Sequence, residues 1–491
     1  MSNLLNGIAE RFKAEGLVGE DWQEEMRLQG LLVELYRQYY DGEHRLTLTA
    51  TQKAMMNIKD DLLDRYNDNY CEMVVDAMAD RLKVDRIRAE DDVAQAWIDE
   101  VLEANRFDGM QIDVHTAALR DGETFVMSEY SDELGRVKLA HELAWDGYTG
   151  VLVVYDRNGE TIIAGAKVFY DGDDTRVNLY YRNRVERYVA PEDGEMQPLG
   201  EEDITRNGRL GVVPIVRFSR KKTPASELNN AIPLQDSLNR TLISMVMTGE
   251  LTAFSILFSK GWEAPNGITP GMVMSAMIKD AKTGQPIIPS DKDQAQALTT
   301  MINAFDLKRI ESGEVTQLIE LAEWIINQIG TVTSTPVPGM MGGDSASGEA
   351  LKQRDVRLVG KCQAAMVSYG NSYEDLMRMA ALMQALYATT QPPALDGINT
   401  QWKTAQVRND ADILAAAVQL QKWGFDRAAL RLLSQSTMAN WTEDEIEQMI
   451  VEKRKDSAVA MQAVPLPGFD QFNVPPNNQG VENGNGQNRA E

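Results

Sequence analysis

The chain has 491 residues, 43% of them hydrophobic and 25% charged, which is enough apolar mass for one large or several ordinary domains. Its 74 acidic and 49 basic residues give a formal net charge of −25. So acidic a surface repels phosphates unless local basic patches override the field, which argues against an ordinary sequence-specific DNA binder. The two cysteines, Cys71 and Cys362, argue against a disulfide framework and for a reducing compartment. Met1–Asn6 has neither a basic n-region nor a long apolar h-region, so no signal peptide is expected.

Residues 20–105 are expected to be helical. Trp22, Met26, Leu31, Leu35 and Tyr39 recur near helical spacing, and Gly42 in Tyr39-Tyr40-Asp41-Gly42 closes that helix. Thr49 with Gln52 has the form of a capping box. Tyr70, Val74, Val75, Met78 and Leu82 mark a further apolar stripe. Residues 110–220 change character. Strands are expected at Gly122–Met127, Val151–Tyr155, Thr161–Tyr170, Arg176–Arg182 and Val212–Phe218, with turns at Asp156–Gly159 and Asp171–Asp174. Short β-branched and aromatic runs with such turns predict an antiparallel meander.

Helix is expected to return at Pro233, which suits a first turn, with Leu234, Leu238, Leu242 and Met245 on one apolar face. If continuous over 232–256 it is about 38 Å long. The apolar run Leu242–Phe258 is short for a membrane span and contains Glu250, so it is read as a packed helix. Residues 259–312 are mixed. A second helix is expected over Val315–Ile329, with Leu318, Leu321, Ile325 and Ile329 on one side. Thr331–Ala346 is read as a loop, and a long helix follows from Ser347, with Leu351, Leu358, Cys362, Met366, Tyr369, Tyr373 and Leu376 in a 3.6-residue period. A helix from Asn409 stops near Gly424, and Thr442 with Glu445 starts another. From about Val464 the Pro-, Asn- and Gly-rich tail is expected to be disordered.

Chemistry is hard to find. His44, His115 and His141 have no metal-ligand spacing, and neither cysteine belongs to a CxxC pair. There is no GxxxxGK[ST] loop and no GxSxG elbow. Acid pairs such as Asp173/Asp174 and Glu201/Glu202 are expected by composition alone. No cofactor, metal or catalytic residue is assigned.

Several phrases occur in a shared order: Tyr39-Tyr40-Asp41-Gly42, Asn69-Tyr70-Cys71 with Val74-Val75-Asp76, Gly211-Val212-Val213-Pro214, Ser226-Glu227-Leu228, Ala231–Asn239, and Ser347-Gly348-Glu349-Ala350-Leu351-Lys352. Over roughly residues 25–455 this order resembles the portal, or head–tail connector, proteins of tailed bacteriophages. The resemblance implies a predominantly helical α+β fold, with an antiparallel β-meander in an outer wing over 1–230. It implies stem helices at 231–256 and 315–330 with a clip at 257–314 between them. A tunnel loop at 331–346, a long wing helix at 347–399, a helical crown at 400–455 and a tail at 456–491 complete the division.

The implied function is a non-enzymatic twelve-fold ring at the capsid vertex. Double-stranded DNA passes through it, without sequence specificity, during packaging and ejection. Implied partners are other copies of the chain, the terminase packaging motor, head–tail adaptors, and the major capsid and scaffolding proteins, with no membrane. The implied locations are the virion and, during assembly, the host cytoplasm. Twelve copies would carry about −300, which repels and centres a duplex. Val332, Val337, Met340 and Met341 either contact DNA from the tunnel loop or pack beneath it. Lys308, Arg309, Lys352 and Arg354 are either channel cations or a solvated helix face. Another head-completion protein and a carboxylate-dependent hydrolase are the competing readings.

Overall fold

The computed structural model describes residues 2–44, 68–191, 195–202, 210–253, 257–260, 306–309, 315–337, 348–406, 410–434, 441 and 443–462. The Thr49/Gln52 box and the tail after Val464 lie outside the described residues. The chain forms two units, residues 1–406 and 407–491. It is a mixed α+β protein with 11 helices among the described residues, and the described strands pair with one another antiparallel throughout.

The first unit opens with α1 (Ser2–Ala14) and α2 (Trp22–Tyr40). Helix α3 (Tyr70–Ala79) starts where the Asn69 side chain accepts from the Cys71 and Glu72 amides. Such caps satisfy donors that a helix start leaves unpaired. Strand β1 (Val84–Arg88) follows, then α4 (Asp92–Ala104), capped by Asp91, and α5 (Phe107–Asp121). The expected run of helix over 20–105 is therefore interrupted: β1 pairs with β12 (Asn399–Trp402), more than 300 residues later. A five-residue strand whose partner lies so far away has no local signature.

Two sheets follow. Strands β2 (Thr124–Ser131), β3 (Arg136–Leu143) and β9 (Ile215–Phe218) form a three-stranded sheet in the order β3-β2-β9. The second sheet is the meander: β4 (Gly150–Tyr155), β5 (Ile162–Asp171), β6 (Asp174–Tyr181), β7 (Val185–Ala190) and β8 (Gln197–Glu202), side by side in chain order. Strands β3, β7 and β8 extend the expected set, and both expected turns join strands. Gly122 is not in a strand. It ends α5 with φ +91, and a Cβ there would stand 2.8 Å from the Ala225 amide nitrogen. Only glycine fits such a left-handed turn against backbone.

Helix α6 (Ile232–Ala253) is followed by β10 (Leu257–Lys260), paired with β11 (Asp306–Arg309). Helix α7 (Val315–Thr333) packs on α6. Helix α6 is described as far as Ala253, and residues 254–256 of its expected span lie outside the described residues. Helix α7 runs on through Thr333, taking Thr331–Thr333 out of the expected loop. Helix α8 (Gly348–Tyr387) is 40 residues long, about 60 Å. Its buried stripe, Leu358, Cys362, Tyr369, Tyr373, Leu376 and Ala380, packs against β2 and β9 and forms the spine of the larger core. Full burial of each large apolar side chain contributes about 1.5–3 kcal/mol, so packing rather than propensity holds this helix. A smaller core joins α1 to the meander, with Ile8 and Phe12 against Leu152, Ala166 and Leu179.

The second unit contains α9 (Asp410–Lys422), α10 (Asp426–Leu433) and α11 (Glu443–Gln462). Ile413, Ala417, Ala429 and Ile446 are its buried apolar residues, and Lys453–Asp426 and Arg427–Glu447 pair across it.

His115 sits at the centre of the larger core, fully buried. Its Nδ1 is 2.8 Å from the Leu82 carbonyl and its Nε2 2.9 Å from the Tyr373 hydroxyl. A carbonyl only accepts, so Nδ1 carries the proton and Nε2 accepts from Tyr373. Burial pushes the His115 pKa down to about 4, against a weaker opposing pull from the Leu82 carbonyl. The unfolded chain, with an ordinary histidine near 6.5, therefore binds the proton first. The His115 contribution is complete above about pH 6.5 and is lost as pH falls toward 4. We predict that this one group removes on the order of 3 kcal/mol over that window. In chemical denaturation across pH, His115→Gln should be less stable at pH 7 and show a shallower acid slope. Equal slopes for the two proteins would refute the assignment.

Candidate functional site at the root of the α6–α7 pair

Three of the phrases singled out by their order, at residues 39–42, 69–76 and 231–239, meet in space. The first turns of α6 carry Gln235, Asp236 and Asn239 among the apolar Leu234 and Leu238, and Gln235 and Asn239 are buried. The Gln235 amide nitrogen donates to the Asp68 carbonyl and, at 3.0 Å, to Asn239 Oδ1. Gln235 Oε1 accepts from the Tyr70 amide at 3.0 Å. The Asn239 amide reaches His44 Nε2 at 2.9 Å; because an amide nitrogen only donates, Nε2 is the acceptor. His44 stacks on Tyr39 at 4.1 Å, and the Tyr39 hydroxyl donates to Asp236 Oδ1 at 2.6 Å. Tyr36 donates to Asn229, and Tyr40 donates to Asp76 at 2.8 Å. Burial raises the pKa of Tyr39, and the Asp236 carboxylate raises it further, so the phenol stays a donor.

This is a clasp. Residues from α2, from the segment leading into α3 and from α6 satisfy one another's polar groups inside the apolar core. A buried polar group that loses its partner costs about 1–3 kcal/mol. Sliding or rotating α6 by one residue would break most of these bonds together, so the root of the helix has one position.

A second set of bonds fixes the far end of α7. Thr335 donates its amide to the Gly330 carbonyl at 2.9 Å, across Ser334 with φ +63. The Thr333 hydroxyl donates to Ile329 O at 2.6 Å. Lys361 of α8 donates to the Thr333 carbonyl at 2.9 Å, placing a cation at the negative end of the helix. Lys361 also pairs with Glu227 at 2.5 Å, and Glu227 accepts from Arg220 Nε at 2.6 Å. The segment entering α6, the end of α7 and the flank of α8 thus share one ionic junction.

The expected site residues divide by placement. Leu238 and Ile325 are buried, while Leu234, Leu242, Met245 and Leu318 are half-buried on the two helices. Leu321, at the rim of the expected side, is 44% exposed. With Trp324 and Val332 it lines an exposed apolar strip of α7, in which Trp324 is 56% exposed, while Ile319, also exposed, lies on another part of the helix surface. Val332 lies on the last turn of α7, not in a loop, and Val337 is buried. Met340 and Met341 lie outside the described residues. Lys308 and Arg309 are on β11, opposite Phe258 and Leu257, rather than on a helix. Lys352 and Arg354 are on the first turns of α8, and the side chains of all four cations lie outside the described residues.

Sequence reasoning did not single out Gln235, Asp236, Asn239, Trp324 or Lys361 as site residues. The first three carry a readable signal, since polar residues interrupt an apolar helix face. The two thiols are inert: burial pushes Cys71 up to about 12 and Cys362 up to about 11. Of the acid pair Asp173/Asp174, Asp174 is bound to Arg176 at 3.7 Å. No described helix is long and apolar enough to cross a membrane.

The α+β body clamps a pair of side-by-side helices at one end and leaves apolar side chains of α7 exposed. The family model described as "Phage portal protein, SPP1 Gp6-like" matches residues 32–458, and the chain belongs to that family. No curated protein matches it.

The clasp predicts a specific weakness. Gln235→Leu keeps the volume but strands the Asp68 carbonyl and the Tyr70 amide, which should cost about 2–4 kcal/mol. Hydrogen exchange should accelerate in the first turns of α6 and not in the middle of α8. Unchanged protection at α6 would contradict the clasp.

Proposed function

We propose that the protein works as the portal ring of a tailed phage particle. In this reading the α6–α7 pair forms the stem around a central axis. Residues 1–230 form the wing, 257–314 the clip, 331–346 a tunnel loop, 347–399 the long wing helix and 400–455 the crown. The ring, with twelve subunits, sits at a capsid vertex and passes duplex DNA in during packaging and out during ejection. The clip meets the packaging motor and later the head–tail adaptors, and the wing meets capsid and scaffolding proteins. No enzymatic step is assigned to it.

The observation that carries this reading is the bare face of α7. Leu321, Trp324 and Val332 are exposed along one strip of a helix whose adjoining side, through Ala322, Ile325 and Ile329, is packed within its own subunit. A helix apolar on two sides needs a neighbour on each. Helix α6 offers a surface suited to such contact. Ser237, Ser244 and Thr248 each donate to the carbonyl four residues earlier, at 2.8–2.9 Å. Their hydroxyls are thereby turned to the backbone, leaving small side chains against which a bulky residue packs. In a closed ring each subunit presents one surface to a different surface of the next, and no bare face remains. The net charge of −25 per subunit suits a conduit that repels phosphates and lets a duplex slide.

The test is Trp324→Asp. The side chain is exposed in the single subunit, so the fold should survive, with an unchanged circular dichroism spectrum. Mass photometry should show a ring for the native protein and mostly monomer or small oligomers for the variant. Rings of equal mass in both, or a stable native monomer, would overturn the proposal.

A further inference from the structure

An open cleft of about 880 Å³ lies on the body, away from the α6–α7 pair. One wall is the edge strand β9 with the residues that follow it, a second is the turn joining β4 to β5, and the third is the flank of α8. Its charge is opposite to that of the whole chain. Arg217, Arg220, Lys221, Lys222 and Arg378 line it, against two carboxylates, Glu160 and Asp375.

Much of this cationic capacity is unspent. Lys221 is exposed and its ammonium has no partner among the described residues. Lys222 donates only to the Asn158 carbonyl, at 3.1 Å. Arg378 is half-exposed and holds only same-helix contacts, to Asp375 at 2.8 Å and Glu374 at 3.8 Å, of the weak surface kind. Arg217 gives Nε to Glu123 at 2.6 Å and Nη1 to the Lys222 carbonyl at 2.9 Å, while its buried Nη2 has no acceptor. The Tyr155 hydroxyl, on the same cleft, also lacks one. Arg220 is committed to Glu227 and contributes no free donor.

The floor between these cations is apolar, with Ile162, Val212, Met379 and Leu382 partly buried. The edge of β9 is closed to strand addition on this side: Ser368 and Ser372 of α8 donate to the Ser219 and Arg217 carbonyls, each at 2.7 Å. An occupant therefore docks through side chains.

We propose that this cleft is a docking site for an acidic, amphipathic helical segment of a protein partner. The segment's apolar side would lie on Ile162, Val212, Met379 and Leu382, and its carboxylates would meet Lys221, Lys222 and Arg378. A nucleic-acid backbone would use the cations but not the floor, and would be repelled by Glu160, Asp375 and the overall field. The charge reversal also selects the occupant: on so acidic a body, a local excess of cations steers acidic segments to this one place.

The test is fluorescence anisotropy on the full-length assembled protein. The probes are a labelled amphipathic peptide of Glu and Leu at helical spacing, a scrambled peptide of the same composition, and duplex DNA. The amphipathic peptide should bind, more weakly as salt rises, and the other two should not. The variant Lys221→Glu/Lys222→Glu/Arg378→Glu should weaken peptide binding at least about tenfold while the assembly keeps its mass. The milder Lys221→Gln/Lys222→Gln should lower it in the same direction, which covers the case of a triple variant that folds poorly. Absence of peptide binding, equal binding of the scrambled peptide, preferential binding of DNA, or unchanged affinity in both variants would overturn the proposal. So would a correctly folded variant that loses its assembly, because the cleft would then be a contact between copies of this chain.

Discussion

The structure depends on one constraint: polar groups placed inside an apolar core must find one another. Gln235 and Asn239 are buried at the start of α6, where a helix normally keeps leucine or alanine. Left unpaired they would cost several kcal/mol between them. They are retained because the Asp68 carbonyl, the Tyr70 amide and the His44 ring complete them. Apolar packing alone tolerates a shift of register, since one leucine substitutes for another. A closed polar set does not. The α6–α7 pair is therefore held by its root in a single orientation, while its outer face stays uncovered.

That combination separates two kinds of contact along the same helices. Ile325, Ile329 and Ala322 are packed within the subunit, while Trp324 and Leu321 leave about half of their surface open to a neighbour. The junction at Lys361 extends the same logic to the end of α7. There, one ammonium joins the Thr333 carbonyl to Glu227 and so ties the segment entering α6 to the segment leaving α7.

Much of the architecture was legible in the residues, and the failures have physical causes. The meander announced itself through Asp156–Gly159 and Asp171–Asp174, because tight turns need those residue types whatever lies around them. Pro233 marked the first turn of α6, and the apolar stripe of α8 was readable over most of its length. Strands β1 and β12 were not readable, because each is defined by a partner about 300 residues away. Leu321 shares a side of α7 with Ile325, yet one is exposed and the other buried, because periodicity finds an apolar face but not how much of it the subunit itself covers. Val337 illustrates the same limit in a non-helical segment, where a valine suits contact with a ligand and burial equally well.

The central claim is that these subunits close around an axis with the α6–α7 pairs lining it. The most direct measurement is a cryo-electron microscopy reconstruction of the purified protein viewed along its symmetry axis. The account predicts a closed ring with an axial opening of at least roughly 20 Å, wide enough for duplex DNA, and with Trp324 of each subunit covered by α6 of the next. A globular particle with no axial opening, or a ring whose subunits meet elsewhere and leave the α7 face bare to solvent, would contradict it.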